Sequence, residues 1–518
     1  MPIMPGSRAA FWVKSALAVL LITLADVVFY RHPIGANFGV YALALILAVL
    51  VAAPAVRRDP RALGALAIAA SAALLSLEHP TVTMAGLFAL ASGVAVLSSR
   101  ARGADDVWPW TQRLAVAMLR GAIGPLKDLH RLRARRLRQR RGGKDLSRFS
   151  VLLLPLAGGL VFFALFAAAN PLITVMLEAI RLPDLDIPRA MFWLLVGITV
   201  WGVLRPRGLR RTLAPPDGRG DLKVFGVTPT SLFLSLIVFN ALFALQNGLD
   251  LAFLWSHAPL PASVTLAEYA HRGAYLLIVT AILAGAFVLV ALRPGSTTAA
   301  LPAVRRMVVV FVAQNLLLVA SSVLRTLDYV EAYGLTRLRL AALAWMALVA
   351  VGLVLICVRL LRDRSSSWLI NANASAAALV LLIASLVDLG GVAATWNSRN
   401  AREVNSHGPR LDLCYLEALG PAALVPLAEL EGRPLPLAQA ETVASVRMRV
   451  MTALDRRQSN WRSWSWRDAR RLKTATDLLA HRPAASPWPM RDCEGRLFGP
   501  PNPYQPPSPL TAPAQPGT

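Results

Sequence analysis

Eleven apolar stretches of about 17–25 residues run through this chain, and no other feature limits its fold so severely. They cover approximately 10–30, 39–56, 62–78, 82–98, 150–170, 190–206, 228–254, 272–292, 304–327, 338–361 and 368–388. Inside hydrocarbon every backbone N–H and C=O must find a partner within the protein, which leaves only helices or closed barrels. Here the apolar residues come in blocks and do not alternate, so the spans are expected to be helices. The third and fourth are short and Ala-rich, and the count is least fixed between 62 and 98. The expected fold class is all-α: a polytopic transmembrane helical bundle of about eleven spans with a small helical extramembrane C-terminal tail. The first span has a basic start (Arg8, Lys14) and no small-residue cleavage site, and reads as a retained anchor.

Composition supports this reading. Hydrophobic residues make up 56% of the 518, charged residues 16%, and mean hydropathy is +0.52. Soluble domains carry about 25% charged residues. A secreted disulfide scaffold, a disordered protein and a cytosolic enzyme are therefore excluded.

The net charge of +25 would suggest nucleic acid in a soluble protein. In a membrane protein it first reflects the Lys and Arg enrichment of cytoplasmic loops. With the N-terminus inside, 31 basic residues fall in cytoplasmic segments and 7 in the opposite loops. A wrong span count would scramble that asymmetry. The expected location is thus the bacterial inner (cytoplasmic) membrane, with the N-terminus cytoplasmic and the tail periplasmic. No nucleic-acid partner is expected.

Five segments follow: a four-span part (1–98), a basic amphipathic cytoplasmic segment (99–149), a seven-span membrane core (150–388), an external helical tail (389–483) and a Pro-rich disordered end (484–518). In the second, Ala115, Leu119, Ala122, Leu126 and Leu129 form one helical stripe, followed by the Arg-dense run Arg131–Arg141. Two readings of 108–141 stand side by side: a helix lying on anionic lipid, or a charge block that only fixes orientation.

The tail reads as helices over 411–431, 436–458 and 464–481, too few to make much of a core alone. Cys414 and Cys493 both lie in it, and an oxidising compartment permits a disulfide between them. Cys357, within a span, reads as a packing residue. Trp461, Arg462, Trp464 and Trp466 form an aromatic-basic surface suited to a membrane interface.

Phosphate-loop, nucleophile-elbow, C-x-x-C and H-E-x-x-H motifs are all missing from the sequence, and the seven His are scattered. No metal, cofactor or catalytic residue is expected. What remains is a binding-site hypothesis, an outer polar cluster at the ends of spans seven to eleven. It comprises Asp250, Glu268, His271, Arg272, Arg325, Asp328, Glu331, Arg337, Arg339 and Asp388. Arg325 or Arg339 is expected to pair with an acid from another span, Asp328, Glu268 or Asp250 being the candidates. Asn240, Gln246, Asn247, Gln314 and Asn315 continue the polarity inward, where polar groups face a bundle interior or a wet cavity. Interfacial ion pairs that merely fix helix ends are the plainer alternative.

Four stretches resemble a bacterial multi-pass inner-membrane family known only as a domain of unknown function. They are Glu268-Tyr-Ala-His-Arg-Gly273, Tyr333-Gly-Leu-Thr-Arg-Leu-Arg339, Trp368-Leu-Ile-Asn-Ala-Asn373 and Asn460-Trp-Arg-Ser-Trp464. The resemblance covers roughly 200–475. It implies a polytopic helical domain with an external tail and brings no activity, cofactor or catalytic residue.

Three functions are compatible with these features. The leading one is a non-enzymatic envelope sensor, scaffold or assembly factor that contacts an envelope protein through its tail. The others are a transporter or permease using an outward-facing polar cavity, and a membrane-embedded transferase on a lipid-linked substrate, with Glu268, His271 or Asp328 as acid or base.

Overall fold

The computed structural model describes residues 6–99, 101, 106–125, 127–128, 155, 158–159, 186–207, 212–215, 228–255, 279–289, 296, 301–480 and 490–497. The chain divides into two compact units, 1–213 and 214–518. Among the described residues there is no β-strand, only one isolated bridge between Arg491 and Leu497.

The first unit contains α1 (Gly6–Phe29), α2 (Ala36–Ala52), α3 (Pro60–Glu78), α4 (Val82–Ser98), α5 (Val107–Ala122) and α6 (Ile187–Leu204). Side-chain caps start three of them: Asp59 accepts from the N–H of Arg61 ahead of α3, Thr81 from that of Met84 in α4, and Asp186 from that of Arg189 in α6. The Ala-rich character of the third span has a packing role. Ala62, Ala69, Ala72 and Ala73 are fully buried, and a Cβ on Gly39 would fall 2.7 Å from Leu77, so α2 and α3 approach closely.

Helix α5 packs through Trp110, Leu114, Ala117 and Gly121, and Gly121 meets Gly202 of α6 almost backbone to backbone. Its other side leaves Ala115, Met118, Leu119 and Ala122 exposed. The expected stripe is thus real and outward-facing as far as Ala122; Leu126, Leu129 and the Arg131–Arg141 run lie outside the described residues.

The second unit runs α7 (Pro229–Asp250), continued by a π-helical turn Leu251–Trp255, then α8 (Val279–Leu289), α9 (Pro302–Tyr333), α10 (Arg337–Leu361) and α11 (Ser366–Leu386). A shared core forms from Leu236, Ala284, Phe311, Met346 and Leu353, with Phe243 edge-on to Phe311 at 5.1 Å. The tail follows as α12 (Leu389–Arg399), α13 (Leu413–Leu419), a 3₁₀ turn Gly420–Ala423, α14 (Leu424–Leu430), α15 (Leu437–Gln458) and α16 (Trp466–Leu479).

Ten of the eleven expected spans correspond to described apolar helices; the fifth, 150–170, lies outside the described residues but for 155 and 158–159. Among the described residues eight helical stretches are long and apolar enough to cross a membrane. One of these, Leu413–Leu430, is better read as tail core. It is broken at Gly420 (φ +60°) and Pro421, and Leu416, Ala423, Leu424 and Leu427 are fully buried against α15 and α12. The remaining long helices turn large apolar side chains outward, for example Leu194, Leu245 and Leu381. The protein is a polytopic helical membrane protein.

The tail helices share a core with the ends of the membrane helices: Val443, Val446 and Leu454 close over α13 and α14, and Val330 at the end of α9 and Leu335 in the α9–α10 turn join it. The tail's own end departs from expectation. Within the end read as disordered, residues 490–497 are held in place. Cys493 is disulfide-bonded to Cys414, Arg491 pairs with Glu441, and Arg449 bridges Glu417 and the carbonyl of Arg491. Residues 498–518 lie outside the described part.

Candidate functional site

The site is built on the parallel pair α7 and α9. Asn240, Asn247 and Asp250 recur at helical spacing along one side of α7 and meet Gln314 and Arg325 of α9. Gln314 Nε2 donates to Asn240 Oδ1 at 2.8 Å, and Asn247 Nδ2 donates to the carbonyl of Gln314 at 3.1 Å. Trp255 Nε1, on the π-helical turn, reaches Ser321 Oγ at 3.2 Å. At the far end Arg325 Nη2 grips Asp250 Oδ1, which also accepts from Gln246 Nε2 at 3.0 Å. The acid is fully buried and the guanidinium 4% exposed, so neither charge can be screened by water. The amide oxygens of Asn247, Gln314 and Asn315 are buried without a hydrogen-bond partner among the described residues.

Among the described members of the ten residues expected at one outer cluster, Asp250 and Arg325 meet in this way. Glu268, His271 and Arg272 lie outside the described residues. Asp328 and Glu331 are exposed on the last turns of α9. Arg339 folds back over the Tyr329 ring, 4.4 Å from its centroid, and donates to the carbonyls of Tyr333 and Gly334. The Arg337 backbone N–H donates to the Tyr415 hydroxyl at 2.9 Å, and its side chain points to the Leu419 carbonyl. Both arginines thus bind the open carbonyl ends of helices, where a cation is favoured.

Asp388 belongs to a separate group beneath the tail. It caps α12 through the N–H of Gly391 at 2.9 Å and pairs with Arg471 of α16, which also holds Asp468 at 2.6 Å. Burial alone would push the Asp388 carboxyl up. The Gly391 N–H and the Arg471 charge outweigh it and hold the carboxyl below its ordinary range. One turn earlier Arg467 donates to the carbonyl of Leu386, the last residue of α11, at 3.2 Å. The Trp461–Trp466 surface adjoins this point: Arg462 stacks on Trp461 at 5.2 Å, Trp464 and Trp466 meet edge to face, and Trp461 and Trp466 are half exposed.

Two constellations in the first unit escaped sequence reasoning. Asp26 of α1 accepts from Arg189 and from Trp193 Nε1 of α6, while Tyr30 donates to Asp186 at 2.7 Å. The Tyr30 hydroxyl is the main reason that the Asp186 carboxyl sits below its usual range. At the opposite end of α6, buried Asp128 takes Arg205, Arg207 and Trp201 Nε1 within 3.0 Å. The available signal was a carboxylate inside or beside an apolar helix with Arg and Trp on another; long sequence separation concealed the pairing.

Among the described residues no group of His, Cys, Asp and Glu could hold a metal ion. No curated protein and no solved structure matches the chain. A family model described as Domain of unknown function (DUF4153) matches residues 38–430. That match begins well before the four stretches quoted above and ends at Leu430, short of Asn460–Trp464, so the resemblance reaches further toward the N-terminus and less far toward the C-terminus than those stretches implied. With the match running from α2 through the end of α14, the chain belongs to this family.

Proposed function

We propose that the protein is a non-enzymatic component of the bacterial cell envelope, a sensor, scaffold or assembly factor of the inner membrane. Its N-terminus lies in the cytoplasm, and its tail acts in the periplasm as the contact surface for an envelope protein. The observation that carries this reading is the Cys414–Cys493 bond, which closes a folded helical tail. Such bonds persist in oxidising compartments and are rare in the cytosol. The distribution of Arg and Lys over the loops supports the same orientation. The tail's aromatic-basic surface rests at the headgroup level, where Trp461, Trp464 and Trp466 suit an interface. On the cytoplasmic side the outward stripe of α5, continued by the Arg run to Arg141, engages anionic lipid.

Reporter fusions after Arg148 and Arg399 test the orientation. Alkaline phosphatase active only at the second site supports it; activity at the first, or at both, rules it out. A transporter is the second reading, favoured by the amide oxygens of Asn247 and Gln314, which are buried between α7 and α9 with no hydrogen-bond partner among the described residues. It requires that water or a polar solute enter that seam.

A further inference from the structure

A cavity of about 570 Å³ opens on the tail between α12 and α14. This volume falls within the range of small-molecule sites, about 300–1,000 Å³. Its wall is apolar, formed by Val392, Trp396, Val425 and Pro426. Its charges are two acids and two arginines, so the lining is neutral overall. The two ends differ. Arg471 is locked between Asp388 and Asp468 and is 11% exposed. Arg399 and Glu429 stand 3.8 Å apart with 63% and 39% of their side chains exposed. An exposed pair at that separation contributes about 0–1 kcal/mol. It therefore opens readily toward charges of a ligand.

The cavity's position names the ligand's source. Asp388, in its lining, is two residues beyond Leu386, where α11 ends, and Arg467 is bonded to the Leu386 carbonyl. The opening therefore lies at the edge of a membrane span, within reach of headgroups. We propose that this cavity binds the headgroup of a zwitterionic phospholipid from the adjoining bilayer. The phosphate meets Arg399, the ammonium meets Glu429, and the upper part of the chains lies on Val392 and Trp396. An alternating plus-minus lining fits a zwitterion. An anionic headgroup would bring its unbalanced charge against Glu429.

The inference rests on the spans crossing a bilayer, but not on which side the tail faces. Reversed reporter results would end the proposal above and leave this one standing.

The test uses the full-length protein in nanodiscs of equal phosphatidylethanolamine and phosphatidylglycerol, followed by gentle detergent extraction and native mass spectrometry. Wild type should retain phosphatidylethanolamine in preference to phosphatidylglycerol. Glu429→Arg should invert that preference by about tenfold or more, because two cations then face the ligand. Arg399→Ala should abolish retention. Protection of Cys414 and Cys493 from alkylation checks that each variant's tail is folded. Retention in proportion to membrane composition, or a preference unchanged in Glu429→Arg with a folded tail, overturns the proposal. So does competition by soluble phosphoethanolamine with no lipid retained, which would make the ligand a free solute.

Discussion

Asn397 holds Leu335 by both of its backbone groups: the carboxamide oxygen accepts the Leu335 N–H at 2.6 Å, and the carboxamide nitrogen donates to the Leu335 carbonyl at 2.9 Å. Leu335 lies in the α9–α10 turn, just after Gly334 (φ +85°), and Asn397 lies near the end of α12. One side chain thus fastens the tail to the membrane helices and takes both backbone groups of Leu335, between Gly334, whose N–H bonds the Val330 carbonyl at 2.8 Å, and Thr336, whose carbonyl accepts from Leu340 at 3.0 Å.

Asn397→Ala should destabilise the tail. It leaves a buried N–H and a buried C=O without this partner, at about 1–3 kcal/mol each. Asn397→Asp keeps the acceptor and loses the donor, so it should fall between wild type and Ala. Urea unfolding followed by protease accessibility of the tail measures both. Equal stability of all three would show that the turn is held by other contacts.

The buried pair Asp250–Arg325 should behave as a coupled unit. Asp250→Ala or Arg325→Ala alone takes this partner from a buried charge, at about 3–5 kcal/mol. Asp250→Leu with Arg325→Met removes both charges and should recover most of that loss. Thermal unfolding in one detergent compares the four proteins. Single changes of less than about 1 kcal/mol would mean that water reaches the pair.

Thiol labelling of the intact protein without reductant should modify Cys357 alone, and slowly, since that thiol lies half-buried in α10. Reduction should expose Cys414 and Cys493 and release residues 490–497. Across a sequence separation of 79, the bond should contribute about 2–4 kcal/mol to tail stability. Two readily labelled tail thiols before reduction would contradict the bond.

The parts of the fold that could be read from the sequence are those that depend on short-range order. Apolar blocks place the spans. The Asp250–Arg325 pair was within reach because two ionisable residues on apolar helices have few alternatives to each other. What stayed hidden depends on residues far apart in the chain. Nothing local indicates that Arg471 rather than a span residue would take Asp388, nor that Arg337 and Arg339 would turn to carbonyls instead of acids. Leu413–Leu430 is apolar enough to pass for a span, yet the sequence places 411–431 in the tail, and a glycine in the left-handed region and the disulfide at Cys414 agree with that placement.

Acid should loosen the tail through Asp388. Its carboxyl is held below its ordinary range in the folded state by the Gly391 N–H and Arg471, against the opposing effect of burial. A depressed carboxyl contributes stability that is fully present above its unfolded pKa of about 3.9 and is lost as pH falls through the lower folded value. Wild-type tail stability should therefore decline below about pH 4. Asp388→Asn should be less stable than wild type at neutral pH and show a shallower decline in acid. Thermal melts at pH 3, 4, 5 and 7 compare the two. Parallel curves would assign the acid sensitivity to other carboxylates.

Asn315 of α9 yields the last prediction. Asn315 donates to the Phe311 carbonyl one turn back at 2.7 Å, and its own oxygen is buried with no hydrogen-bond partner among the described residues. The residue is 1% exposed and is flanked in the chain by Gln314 and Leu316. A buried acceptor left unmade costs about 1–3 kcal/mol, and the Phe311 bond duplicates one that the helix backbone already makes. Asn315→Leu is close in volume and removes the unmet acceptor, so it should raise the thermal midpoint. Gln314→Leu should instead lower it, because it breaks the 2.8 Å bond to Asn240 across the helix pair. Thermal unfolding of both variants decides the matter. A destabilised Asn315→Leu would mean that the amide oxygen is satisfied by water or solute in the working protein, and the transporter reading would then gain on the envelope-scaffold one.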